Sequence, residues 1–440
     1  MVNKIKCLTL LIISSLIILS LITPSITLAS TQNSSIVPKM LIKLGEALYN
    51  EVVKELGSID PSYTLILSNA KYVIAKGYNL YPVTIPLINL GFYPVYTLIY
   101  VHSPFNSNFW LIVYKDNIHK AIYIEISRDI ISKAIERIIN GEAIDNVISY
   151  ILINGVIKKS VFTLDLNKII IEGKEDPDRV WSIIEGNTSK SVAFSILTIT
   201  MAWSYGAPQE VLLTSELHNH VCPGLISGVL IINYLIKKGY ITPNSKVYII
   251  ASPVWCKDDA FIQLLDATPG KRRMSIKLLP KSEENELRKI FKTDVAGIVI
   301  VMEPNKTGKA YVTAFNWSKA CQIAGIERGM FKGKYWWWSR VVMNKLLLSF
   351  IDKPEELVNI VKTIEFTGYV GRYPTLFYNT SLVGIDPYNI IGIITSETTL
   401  QSTPISTSSS LQQNIGFIIG VIVLVIALII ALIYAHRKRG

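Results

Sequence analysis

The sequence predicts an α+β fold in two blocks, with strands paired as hairpins and helices gathered around them. Three observations carry this expectation. Apolar runs at Phe109 to Tyr114 and Lys120 to Ile126 flank a short polar turn at Asp116-Asn117, the pattern of a hairpin. Helical periodicity recurs in long segments on either side of such runs rather than alternating strictly with them. The stretch Glu172-Gly173-Lys174-Glu175-Asp176-Pro177-Asp178 is charged, holds Gly and Pro, and separates two apolar blocks. Residues 30–175 are therefore read as an N-terminal α+β domain. Residues 176–395 are read as a second domain with a C-terminal extension.

The termini read as membrane signals. Lys4 and Lys6, the uncharged apolar run Leu8 to Ile22 and the small residues Thr27-Leu28-Ala29 have the parts of a signal peptide over residues 1–29. Ile415 to Tyr434 carries no charge over a length suited to a membrane-spanning helix, and His436-Arg437-Lys438-Arg439 follows at once. Residues 414–435 are thus expected to form one transmembrane helix, with 436–440 as a cytoplasmic basic tail and everything before outside. The Ser/Thr-rich segment 396–413 reads as a stalk. Sequons begin at Asn33, Asn187, Asn305, Asn316 and Asn379, which suits an exported glycoprotein. The expected address is the cell membrane, single-pass, with the ectodomain at the surface.

Charge excludes one class of partner. Of the net +11, Lys4 and Lys6 contribute two and Arg437, Lys438 and Arg439 three, leaving +6 for the exported part. That excess is spread thinly. Nucleic acid recognition wants a basic stripe, and the only local cluster, Lys271-Arg272-Arg273, reads as a solvated turn. Cysteine is scarce: Cys222, Cys256 and Cys321 remain once Cys7 leaves with the signal peptide, too few for a disulfide scaffold.

Along the first block, Pro38 to Gly57 has a helical pattern with Leu41, Leu44, Leu48 and Val52 on one face. Strands are expected at Tyr63–Leu67, Lys71–Ala75, Val95–Val101, Phe109–Tyr114 and Lys120–Ile126. Helices follow at Arg128–Ile139 and Ala143–Ile151, then strand-like runs at Val156–Leu164 and Ile169–Ile171. In the second block helices are expected at Pro177–Glu185, capped by Asp176, and at Ser189–Tyr205. Pro223–Lys238 should be a helix closed by Gly239. Next come a strand at Lys246–Ser252, a helix at Lys257–Leu265, a hairpin from Val295–Glu303 and Ala310–Phe315, and helices at Trp337–Phe350 and Pro354–Thr363. The two hairpins resemble each other, each opening its second strand on Lys-Ala, as a degenerate internal repeat would.

The chemistry concentrates at Glu216-Leu217-His218-Asn219-His220-Val221-Cys222-Pro223-Gly224. Of only five histidines and four cysteines in the chain, three fall here. Thiolate and imidazole are the ligands that hold zinc and related transition metals. Cys222 stands at a helix N-cap ahead of Pro223, where unpaired N–H groups favour its thiolate form and make it a candidate nucleophile. Two residues apart, His218 and His220 would share one side of an extended segment. Gly224 and Gly228 lie on one helix face and permit another backbone to come close. Cys256, in the loop after a strand, is the distant partner. Asp258 and Asp259 are placed to orient an imidazole. Tyr335-Trp336-Trp337-Trp338 reads as a core aromatic cluster and Cys321 as a buried small apolar residue.

The motif His-x-His-x-Cys-Pro-Gly-Leu-x-x-Gly, with Cys256-x-x-Asp259-Ala260 and Thr268-Pro269-Gly270-Lys271, resembles the FmdE family, named for the E subunit of formylmethanofuran dehydrogenase. The resemblance covers roughly Pro177 to Phe350. It implies an FmdE-like α+β domain whose His/Cys residues line a transition-metal site with zinc as the expected ion. The implied ligands are His218, His220, Cys222 and Cys256, not all on one ion, with Asp259 in support. Two departures stand out. Ala267 replaces the cysteine that many members carry before Thr-Pro-Gly, and the chain has no Cys-x-x-Cys for a second, structural metal. The namesake chemistry is cytoplasmic and does not fit an exported chain.

The expected function is capture of a metal ion or metal-bound small ligand at the cell surface, with a transporter as a partner and a homodimer as the simplest assembly. The alternatives are an extracytoplasmic enzyme using Cys222 or Asp259, or a surface protein in which the metal only stabilises the fold.

Overall fold

The computed structural model describes residues 36–303 and 307–393. The expected signal peptide, stalk, transmembrane helix and basic tail lie outside the described residues, as does the turn at Asn305-Lys306. Among the described residues no helix is long and apolar enough to cross a membrane.

The fold is mixed α+β with two five-stranded sheets. The chain begins with helix α1 (Ile36–Leu56), whose Val37, Met40, Leu41, Leu44, Leu48 and Val52 form a buried stripe at helical spacing. Strand β1 (Thr64–Ser68), helix α2 (Ile85–Asn89), strand β2 (Leu98–Tyr100) and the hairpin β3 (Phe109–Lys115) and β4 (Lys120–Ile126) follow. Helices α3 (Arg128–Ile139) and α4 (Ile144–Asn154) lead to strand β5 (Val156–Thr163). The sheet order is β2-β1-β3-β4-β5, with β1 and β2 parallel and the other pairs antiparallel.

Four helices intervene: α5 (Leu166–Glu175), α6 (Pro177–Asn187), α7 (Ala193–Ser204) and α8 (Gln209–His218). Then come α9 (Pro223–Lys237), β6 (Lys246–Ala251), α10 (Lys257–Leu265), β7 (Met274–Ile276), α11 (Lys281–Phe291) and the hairpin β8 (Asp294–Met302) and β9 (Thr307–Phe315). Helices α12 (Trp317–Ala324) and α13 (Trp336–Leu348) precede strand β10 (Val358–Thr367). This sheet runs β7-β6-β8-β9-β10, again with one parallel pair, β6 and β7, at one end. The two halves therefore share one element order and one pairing pattern. The only labelled addition in the second half is α11.

Both faces of the first sheet are covered, which is why β3 is buried at every position. Ile66, Leu111, Val113, Ile122 and Ile124 pack with α1, α3 and α4. Leu65, Leu67, Ile112 and Tyr123 join Val180, Ile196, Leu212, Ile226, Leu230, Val299 and Trp337 in a second cluster. That second core runs continuously across residues 175 and 176, where Asp176 alone separates α5 from α6. As the sequence predicts, Asp176 caps α6, accepting from the Arg179 N–H at 3.2 Å. Trp337 and Trp338 are buried with their indole N–H groups on Pro177 O and Ile170 O. Lys271 and Arg272 are exposed in the turn before β7, one paired with Asp266 and the other with the Tyr373 hydroxyl.

Three local expectations differ from the structure. Ile169–Ile171 lies inside α5, because Asp165 caps that helix through the N–H groups of Asn167 and Lys168. Of Lys71–Ala75 only Ile74–Ala75 is extended. The segment after Pro354 makes one 3-10 turn and then strand β10 rather than a helix. Its β-branched residues suit a strand, and β9 supplies the pairing edge. Among the described sequons, Asn187 and Asn316 already use their side chains locally, Asn187 on Ile183 O and Asn316 as the cap of α12.

Candidate metal centre

Three helix termini build the site. Helix α8 ends at His218, and Asn219 turns the chain in the left-handed conformation at φ 60°. Cys222 then caps α9, its Sγ accepting from the Leu225 N–H at 3.4 Å with Pro223 in the first turn. Cys256 precedes the first residue of α10. His218 and His220 thus sit across a helix end and a turn, not along an extended segment. The turn is fastened on both sides: Val221 N–H donates to Thr198 Oγ1 at 3.2 Å, and Val221 O accepts from Asn344 Nδ2 at 2.8 Å.

Glycine brings the helices together. A Cβ on Gly228 would stand 2.5 Å from Lys257 O, and one on Gly224 would stand 3.0 Å from Cys256 Cβ. The bare face of α9 is what allows the start of α10, and Cys256 with it, to lie against Cys222. The close approach expected from these two glycines is present.

The ligand atoms of His218, His220 and Cys222 all lie within 4.8 Å of one another. His218 Nδ1 bonds Asp259 Oδ2 at 2.6 Å, which turns its Nε2 toward Cys222 Sγ at 3.5 Å. His220 Nδ1 bonds Asn219 Oδ1 at 2.8 Å. Cys256 adjoins the cluster, interacting with both Cys222 and His218. Asp258 is elsewhere engaged, accepting from the Trp255 N–H at 3.0 Å and pairing with the buried Lys257 at 2.7 Å. Of the two aspartates read as imidazole supports, only Asp259 serves.

The electrostatics sort the groups. The hydrogen bond from Cys222 pulls the Cys256 thiol down to about 4, against burial and with help from His218. The same bond, with burial, pushes Cys222 well above its usual value. The two thiols are thus pushed in opposite directions, Cys256 toward the thiolate form and Cys222 away from it. Burial opposes protonation of His218, but Asp259 and Cys256 outweigh it and raise the imidazole to about 9. Burial and the neighbouring His218 charge push His220 down to about 3, so it is neutral at ordinary pH.

No sequence pattern marks the walls of the site. A cavity of about 370 Å³ beside the two cysteines is lined in part by Trp255, Trp317, Cys321, Phe331 and Arg340. Cys321 is buried, as expected, but faces this cavity. The proximity of residues up to about a hundred positions away leaves no local pattern in the chain.

Residues 217–336 match the FmdE family, described as "FmdE, Molybdenum formylmethanofuran dehydrogenase operon". The matched segment holds all four expected ligands, Asp259 and the hairpin β8–β9. No curated protein matches the chain. The His/Cys cluster in this FmdE-like segment is of a kind that can hold a metal ion.

Proposed function

We propose that the chain captures a transition metal, zinc in the first instance, or a metal-bound small ligand, with ligands drawn from His218, His220, Cys222 and Cys256 but not all four on one ion. The observation that carries this reading is the His218 imidazole, locked by Asp259 on one nitrogen and aimed at Cys222 Sγ with the other. A carboxylate on the far nitrogen is the usual way a protein fixes the tautomer of a metal-binding histidine. A tetrahedral zinc has bonds of about 2.0 Å to nitrogen and about 2.3 Å to sulfur, so its ligand atoms stand roughly 3.5 Å apart. The Nε2 to Sγ separation of 3.5 Å suits that donor set.

The adjoining cavity favours capture over a closed stabilising site, since it leaves room beside the cysteines for an outside ligand. An enzymatic role would need a free general base, and Asp259 is committed to His218. The terminal sequence signals support export and a single membrane anchor, placing the capture at the cell surface with a transporter as the recipient. The shared element order of the two halves supports descent from a duplicated unit whose first copy lost its ligands.

Metal content of the purified full-length chain, by mass spectrometry, tests the reading. We expect one metal per chain in wild type and loss in His218→Ala, Cys222→Ser and Cys256→Ser. A wild type without metal, or variants that keep it, would refute it.

A further inference from the structure

The cavity beside the cysteines holds one cation that the metal reading does not use. Of the two arginines lining it, Arg328 is neutralised by Asp294, with contacts of 2.5 and 3.2 Å. Arg340 is half-buried and is held by one Nη1, which donates to Phe331 O at 2.9 Å and Trp336 O at 2.5 Å. Among the described residues no carboxylate pairs with it. The acidic groups that act on it are the two cysteines of the site.

A half-buried guanidinium without a counter-charge is costly, and its fork of donors matches a carboxylate. The rest of the cavity is apolar, walled by Trp255, Trp317 and Phe331, so a small hydrated inorganic anion would leave those surfaces uncovered. A volume of about 370 Å³ suits a small organic molecule.

We propose that this cavity binds a small organic carboxylate with an aromatic or branched apolar body, its carboxylate on Arg340 beside the Cys222/Cys256 site and its body against Trp255, Trp317 and Phe331. The inference deepens the capture reading and rests on it for the bound ion.

Calorimetric titration of the zinc-loaded full-length chain in detergent with benzoate, benzyl alcohol and acetate tests it. Benzoate should bind at least tenfold tighter than either of the others. Arg340→Gln should cost benzoate at least tenfold and leave benzyl alcohol unchanged, and Arg340→Lys should restore part of the loss. Trp317→Ala, which leaves the carbonyl bonds of Arg340 in place, should weaken benzoate and benzyl alcohol together. Benzoate binding no tighter than acetate, or unchanged in Arg340→Gln, overturns the proposal. Zinc content of the same samples separates the two claims. Zinc present with no benzoate binding sinks the carboxylate alone, whereas a chain that takes up no zinc sinks the metal reading beneath it.

Discussion

Gly228→Ala puts the packing argument at risk in a measurable way. A Cβ there would meet Lys257 O at 2.5 Å, Ala260 Cβ at 2.8 Å and Lys257 Cα at 2.9 Å. Two of these are backbone atoms at the start of α10, so no rotamer change relieves them. The helices must part by roughly 0.5–1 Å to restore ordinary contact. Alanine gains about 1 kcal/mol over glycine in a helix interior. Overpacking against backbone costs about 1–3 kcal/mol, so the net effect should be destabilising by up to about 2 kcal/mol. The larger effect should fall on the metal. Cys256 rides on α10 and Cys222 on α9, and metal–ligand distances tolerate only about 0.2 Å. Zinc affinity should therefore drop by at least tenfold. Gly186→Ala is the control: it lies in helix α6 with nothing within 4 Å of the added Cβ, so it should stabilise by about 0.4–1 kcal/mol. Thermal unfolding and competitive zinc titration read both variants. If Gly228→Ala matched wild type in stability and zinc affinity, the claim that this glycine sets the Cys222 to Cys256 approach would be wrong.

Three further outcomes are expected. Asp259→Asn keeps the shape but weakens the grip on His218 Nδ1, and should lower metal affinity about 10–100-fold in a chelator competition; unchanged affinity would mean that Asp259 does not orient the ligand. Metal binding should release two protons per ion near pH 7. His218, raised to about 9, and Cys222, raised well above its usual value, must both deprotonate, while His220 at about 3 and Cys256 at about 4 are already ready. Affinity should therefore fall as pH is lowered from about 9, and calorimetry in buffers of different ionisation enthalpy counts the protons; zero release contradicts the sorting. Glu216→Ala should destabilise by about 1–3 kcal/mol in denaturant unfolding. It strips the partner from the Tyr100 N–H at 3.1 Å and from Lys71 at 3.3 Å. Because Glu216 lies on α8, two residues before His218, metal affinity should fall with it.

What the sequence revealed and what it hid follow from the range of the forces involved. The α1 stripe, both hairpins, the Asp176 cap and the Cys222 cap with Pro223 behind it are set by neighbours within a few residues, and each is present. Ile169–Ile171 and the expected helix Pro354–Thr363 differ from the structure because short apolar runs fit helix or strand alike, and the surrounding fold decides between them. His218 and His220 fall across a turn rather than along an extended segment because the left-handed Asn219 turn depends on where α8 stops. Cys256 is legible as a partner from its place in the loop after a strand, but its contact with Cys222 depends on the packing of α9 against α10. Arg340 and Trp317 carried no local sign of their role. Only the packing of α12 and α13 brings them beside the cysteines.

X-ray absorption at the zinc edge of the loaded full-length chain tests the central claim most directly. The account predicts a mixed shell, with nitrogen at about 2.0 Å and sulfur at about 2.3 Å, the sulfur component shrinking in Cys222→Ser. A shell of oxygen and nitrogen alone, or one indifferent to Cys222, would contradict it.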